Sequence, residues 1–166
     1  MKKILFLFCS FLVIHTGYSQ TDSNQPPYKK FTSFPPVKLL LPDSSTYFTK
    51  NDLQKKSPVM LMLFNPQCEH CRQATEDLLK NIDKFKDIQI IMSTSMLFDS
   101  MMTFREKYQL AQFENIVVAQ DPNFFLPTYF MINSLPFLAF YDKKKELIEV
   151  FEGSLPVKKI LAKFDK

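Results

Sequence analysis

Tryptophan is absent from these 166 residues, glycine occurs twice, histidine twice and cysteine three times. The shortage of cysteine and histidine excludes the most. Cys9 and His15 fall within a stretch that reads as a removable leader, which leaves Cys68, His70 and Cys71. A tetrahedral zinc site needs four ligands disposed around the ion, and three residues this close in sequence cannot enclose one; no metal ligands are assigned. Two cysteines also give no disulfide framework. In an exported chain a single C-x-x-C pair is expected to be reactive rather than structural. Clustered basic charge is missing too: the longest run, Lys143 to Lys145, reads as a solvated hairpin turn, so no nucleic-acid partner is expected. There is no internal repeat and no low-complexity segment.

Residues 1–19 have the layout of an export signal. Lys2 and Lys3 supply the positive end, Ile4 to Ile14 the apolar core, and Gly17-Tyr18-Ser19 a small-x-small cleavage site. The apolar core is short for a bilayer span, a retained anchor being the alternative. The bulky Phe8 before Cys9 argues against lipid attachment there. Cleavage would leave about 147 residues, with 19 basic and 17 acidic side chains and a net charge of +2. That is enough chain for one domain with a proper core, placed in an oxidising compartment of the periplasm or cell envelope. Residues 20–33, polar and carrying Pro26-Pro27, read as a flexible lead-in, and residues 34–166 as the domain.

The chemistry is concentrated in Val59 to Asp77, VMLMLFNPQCEHCRQATED. Val59 to Phe64 is an apolar run of strand length, and Asn65-Pro66 ends it. After Cys68-Glu69-His70-Cys71, the positions Ala74, Leu78, Ile82 and Phe85 form the stripe of an amphipathic helix. Cys68 is therefore predicted at a helix start, where unpaired amides and the macrodipole favour thiolate over thiol. Each pKa unit gained that way is about 1.4 kcal/mol. His70 adds to the effect if protonated, and Glu69 opposes it if its charge points inward. Cys71, one turn on, can close a short disulfide with Cys68, the arrangement that thiol–disulfide exchange requires.

The remaining elements follow from pattern. Val37 to Leu41 and Thr46 to Thr49, around Pro42-Asp43-Ser44-Ser45, predict a hairpin. Ile88 to Ser93 is a second buried strand, joined to the first by a right-handed parallel crossover. Leu97, Met101, Phe104 and Tyr108 mark a helix that Thr94 or Ser95 could cap. Ile116 to Ala119 is a short strand. Asp121-Pro122 reads as an N-cap with proline in the first helical position, and Pro127 as a limit or kink. Pro136 to Tyr141 and Leu147 to Glu152 form a hairpin ended by Gly153, and Pro156 to Phe164 a closing helix.

This order of pieces resembles the thioredoxin fold, in particular its exported bacterial reductase and redoxin-like members, and the resemblance spans Phe34 to Phe164. Its anchors are Phe64-Asn65-Pro66-Gln67-Cys68-Glu69-His70-Cys71 and Asn133-Ser134-Leu135-Pro136-Phe137. It implies an α/β architecture, a central mixed sheet flanked by helices with an N-terminal β-hairpin extension. It also implies a cis Leu135–Pro136 bond facing the cysteines, with Leu135 offering backbone hydrogen bonds to substrate and packing beside Cys68. The activity implied is exported thiol–disulfide oxidoreduction, without a cofactor, by a monomer. Its partners would be protein disulfides or dithiols and a membrane or envelope redox partner.

Several positions depart from the family pattern. Gln67 stands where thioredoxins carry tryptophan, and Met62 where they carry a buried acid. Ala74 occupies the place of the alternative acid of exported reductases, and Glu76 lies roughly 200° around the helix from it. Glu69, His70 or water is left to serve as base for Cys71, slow exchange being the alternative. A His inside C-x-x-C resembles the motif of strongly oxidising periplasmic enzymes, whereas Glu69 pulls the other way, so the direction of electron flow stays open. Asn65, three residues before Cys68, departs from peroxide-reducing relatives, which have Thr or Ser there. The competing class is a non-catalytic copper or partner-binding domain using Met60, Met62, Met92, Met96, Met101, Met102 and Met131. Methionines in a Phe-rich, Gly-poor chain are expected to be core filler, Met62 and Met101 in particular. Phe124, Phe125, Tyr129 and Phe130 are either core or an apolar peptide-binding surface.

Overall fold

A computed structural model describes residues 25–165. The proposed signal, residues 1–19, and the start of the lead-in lie outside them. Seven strands form one mixed sheet in the order β2-β1-β5-β4-β3-β6-β7. They are β1 Lys38–Leu40, β2 Tyr47–Thr49, β3 Val59–Leu63, β4 Gln89–Thr94, β5 Ile116–Gln120, β6 Phe137–Tyr141 and β7 Leu147–Glu152. The helices are α1 Pro27–Lys30, α2 Glu69–Leu79, α3 Phe98–Lys107, α4 Phe125–Phe130 and α5 Val157–Leu161. β3, β4 and β5 are parallel, while β6 runs antiparallel to β3 with Met62 opposite Leu138. The expected hairpin is present as β1–β2, with Leu39 opposite Phe48.

Every residue of β3, β4 and β6 is buried, the consequence of helices covering both faces of the sheet centre. Because side chains alternate along a strand, one apolar run feeds two cores. Met60, Met62, Met92, Leu138 and Phe140 pack with Leu78 of α2, Met101 and Phe104 of α3 and Ile160 of α5. Leu61, Leu63, Ile91, Phe137 and Tyr141 pack on the other side with Leu126, Tyr129 and Phe130 of α4 and with Phe34, Leu39 and Phe48. Each such side chain contributes about 1.5–3 kcal/mol by leaving water, so β3, which leads into the turn before the cysteines, rests on a heavily buried part of the molecule.

Three expectations need correction. Residues 27–33, read as lead-in, are docked: Tyr28 packs on Phe130 with ring centroids 5.5 Å apart, and Tyr129 Oη donates to the Phe31 carbonyl at 2.8 Å. Ser33 bridges Glu146, and Leu147 N donates to the Thr32 carbonyl at 2.8 Å. Aromatic contacts distant in sequence override the polar local composition.

Second, neither Thr94 nor Ser95 caps α3. Leu97 holds the cap position and is 75% exposed instead of lying on the buried stripe, while Thr94 Oγ1 accepts from Met96 N at 3.2 Å. Third, α4 begins at Phe125, not at Pro122. The buried Asp121 carboxylate still caps it, accepting from Phe125 N at 3.1 Å and Leu126 N at 2.8 Å across a left-handed residue, Phe124. Pro127 is thereby placed in the first turn, where a missing N–H removes no helical bond.

Candidate functional site

The site starts where β3 runs out. Phe64 anchors the strand end by stacking on Phe104, centroids 4.5 Å apart. Asn65 then makes the turn twice over: its side-chain Oδ1 accepts from Gln67 N at 2.9 Å, and its carbonyl accepts from Cys68 N at 3.0 Å. The chain arrives at the N-cap of α2 with Cys68 in extended conformation, and the Cys68 carbonyl accepts from Arg72 N at 3.1 Å. Cys68 is half-buried and Cys71 fully buried, and both are free thiols. Burial pushes the Cys71 thiol up to about 12, the neighbouring Cys68 adds to the rise, and the Asn65 backbone and the Arg72 charge act against it.

The thiol of Cys68 faces the Leu135 carbonyl at 3.9 Å. Leu135 belongs to a second segment, 133–136, whose Leu135–Pro136 bond is cis. That segment is held from β7. Glu152 accepts from Ser134 N at 2.9 Å, Ser134 Oγ at 3.0 Å and Asn133 N at 3.2 Å. Gly153, at φ +95°, a value that glycine adopts without strain, turns its N–H onto the Pro136 carbonyl at 2.7 Å.

The two flanking residues inside the motif point outward. Glu69 is exposed and pairs with Arg72, so its charge is turned away from the sulfur pair. The same guanidinium donates to the carbonyls of Gln67 at 2.8 Å and Pro66 at 3.4 Å, clamping the turn that delivers Cys68. Arg72 was not singled out from sequence. The signal for it is the i, i+3 spacing from Glu69, which places opposite charges on one helix face. His70 is exposed, and its carbonyl accepts from Ser154 Oγ at 3.5 Å, which sets the loop after β7 beside the motif.

Among the described residues, what acts on Cys71 is its burial, the Asn65 backbone, Cys68 and Arg72, none of them a carboxylate. Met62 is buried in the core, Ala74 is half-buried, and Glu76 accepts from Tyr108 Oη at 3.4 Å. Met60, Met62, Met92 and Met101 are all core residues, which removes them from any surface copper site. The aromatic cluster divides: Tyr129 and Phe130 are core, Phe125 is half-buried, and Phe124 is 58% exposed.

A C-x-x-C pair at a helix start, opposite a cis X–Pro segment on a mixed sheet, is the arrangement of the thioredoxin-like class. The chain belongs to that family: the family description "Thioredoxin-like domain" matches residues 49–166. Among solved structures, DsbF of Mycobacterium tuberculosis superimposes with a TM-score of 0.65 at 16% identity, over 77% of this chain and 92% of that one. A secreted M. tuberculosis disulfide oxidoreductase homologous to E. coli DsbE gives 0.64 at 16% identity, over 77% and 93%. A putative thiol:disulfide interchange protein DsbE from Chlorobium tepidum gives 0.62 at 22% identity, over 79% and 94%. No curated protein sequence matches the chain.

Proposed function

We propose that the protein is an exported thiol–disulfide oxidoreductase that exchanges disulfides with protein substrates through Cys68-Glu69-His70-Cys71. The observation that carries this reading is the asymmetry of the pair: an accessible Cys68 facing the Leu135 carbonyl at 3.9 Å, with a buried Cys71 one turn behind it. An accessible attacking thiol with a sheltered resolving partner is what exchange through a mixed disulfide needs.

In the reducing direction Cys68 sulfur, as thiolate, attacks one sulfur of a substrate disulfide. A Cys68–substrate bond forms, the substrate disulfide breaks, and the first substrate thiol leaves. Cys71 then loses its proton and attacks Cys68 Sγ, releasing the second thiol. Two electrons pass to the substrate, the cysteine pair becomes a disulfide, and the two protons end on the substrate thiols. Leu135 and Pro136 form the wall along which the substrate backbone lies. His70 and Glu69 tune the redox poise, Glu69 through its pairing with Arg72. Regeneration requires an envelope dithiol partner for net reduction, or a disulfide partner for net oxidation. Export rests on the leader pattern of residues 1–19 and is in keeping with the secreted solved relative.

The test is insulin-disulfide turnover with two single variants. Cys68→Ser abolishes reaction, and Cys71→Ser accumulates a mixed disulfide visible by mass. Full turnover by both variants would overturn the assignment.

A further inference from the structure

Between the turn that delivers Cys68 and one face of α3 lies an open pocket of about 310 Å³ that the exchange chemistry leaves unused. Phe104 of α3 stacks on Phe64 at the end of β3, and this contact sets the helix beside the turn. Ser100, Thr103 and Lys107, spaced three and four apart, share a face of α3 and form one wall. Pro66, Gln67 and Arg72 form the other. Two of these side chains are cationic, and no acidic residue lines the pocket.

The positive groups keep free donors. The Arg72 guanidinium is held at the pocket, because Nη1 donates to the carbonyls of two lining residues, Gln67 at 2.8 Å and Pro66 at 3.4 Å. Nη2 pairs with Glu69, and Nε–H has no partner among the described residues. Lys107 is exposed, with its ammonium 5.2 Å from the centroid of the Tyr108 ring, and it pairs with no carboxylate among the described residues. Gln67 and Ser100 add an amide and a hydroxyl that can donate, whereas Thr103 Oγ1 is committed to the Asp99 carbonyl at 2.9 Å. The nearby acids stand outside the walls: Glu69 on Arg72, Glu76 on Tyr108, and Asp99 and Glu106 on α3.

We infer that this pocket takes a carboxylate of the substrate polypeptide, carried by an acidic residue close to the reactive cysteine. An ionised carboxylate only accepts hydrogen bonds, and guanidinium, ammonium, amide and hydroxyl can all donate to it. An apolar side chain would leave those donors to water, and a basic one would meet two like charges. Position assigns the anion to a substrate. Gln67 adjoins Cys68, so their Cα atoms are about 3.8 Å apart, and an extended polypeptide bonded to Cys68 reaches the pocket within about three residues. Arg72 is also near enough to Cys68 for the two charges to interact. Glu69, with 77% of its side chain exposed, is then a built-in competitor for the guanidinium.

The inference rests on the proposed exchange activity for its substrate, while the binding is read without turnover. In ¹⁵N-labelled reduced protein at low salt, N-acetylglutamate amide is expected to shift the amides of Ser100, Thr103 and Lys107, and N-acetylglutamine amide to leave them in place. Lys107→Glu should abolish the difference. In disulfide-linked model peptides, kcat/KM should favour Glu over Gln next but one to the cysteine by about fivefold, the upper reach of one exposed ion pair, with the gain in KM. Raising the ionic strength to about 1 M should shrink the ratio towards one, because exposed charges are screened. Lys107→Arg should keep the ratio, Lys107→Glu reverse it, and Glu69→Gln enlarge it. Equal kcat/KM for the two peptides at low salt, or a Glu preference that survives Lys107→Glu, overturns the inference. Amide shifts without any Glu preference overturn the substrate assignment. A protein that exchanges neither peptide, yet responds to the glutamate amide alone, would instead sink the proposed function and leave a carboxylate-binding pocket.

Discussion

The Glu152 carboxylate accepts both the backbone N–H and the hydroxyl of Ser134, at 2.9 and 3.0 Å. Through this pair the end of β7 fixes the segment that presents Leu135 to Cys68. Replacing Glu152 with Ala removes the acceptor for Asn133 N as well, and the segment loses its register. The expected result is a fall in kcat/KM on protein disulfides of about tenfold, with a stability loss of about 1–3 kcal/mol. Glu152→Gln, which keeps one acceptor oxygen, should lie between. Unchanged kinetics in the Ala variant would show that the segment is held without this carboxylate.

Accessibility separates the two thiols. Iodoacetamide should modify Cys68 in the folded, reduced protein and leave Cys71 untouched until denaturant is added, since Cys71 is fully buried. Peptide mass mapping after brief alkylation reads this directly. Equal labelling of both would contradict the asymmetry on which the exchange reading stands.

The Cys71 thiol also makes stability depend on pH. It has an ordinary value of 9.0 and is pushed up to about 12 by burial. Between those values the unfolded chain gives up the proton while the folded protein keeps it, so rising pH favours unfolding. The contribution is intact below pH 9 and is lost progressively towards 12, at no more than about 1.4 kcal/mol per pH unit. Urea midpoints of the reduced protein should fall with pH above 9, and more steeply than those of Cys71→Ala. Parallel slopes would remove Cys71 as the cause.

Arg72 acts on the same thiol in the opposite sense, its charge favouring the Cys71 thiolate. Arg72→Ala removes that charge and the clamp on the Gln67 carbonyl. Attack by Cys71 on the mixed disulfide should slow several-fold, so stopped-flow traces would show a longer-lived intermediate. Glu69→Gln, which frees the guanidinium from its ion pair, should shorten it. If both variants prolong the intermediate equally, the role is one of loop geometry and not of charge.

What the sequence disclosed is what short stretches of chain determine by themselves. The apolar run of β3, the break at Asn65-Pro66 and the stripe of α2 are local, and together they place Cys68 at its helix start. Leu135–Pro136 was legible only through resemblance, because its partners lie across the molecule. Glu152 reaches back 18 residues to Ser134, and no local pattern announces it. The onset of α4 was misplaced because Asp121 caps across a left-handed Phe124, which proline statistics at Pro122 do not register. Leu97 had the spacing of a buried position but precedes the first helical turn, so its side chain faces water. Arg72 was hidden because its value lies in three backbone and side-chain partners that only the folded turn brings within reach.

The margins of the sheet bear on the company the protein would keep. β2, at one margin, is only three residues long, and at the other Ser33 already bridges Glu146 at the approach to β7. A long bare margin is a template on which extended polypeptides add as extra strands and aggregate. With one margin abbreviated and the other partly occupied, the sheet offers little edge on which an extended chain could add, so the proposed exchange with unfolded polypeptides would run through sulfur without nucleating their precipitation.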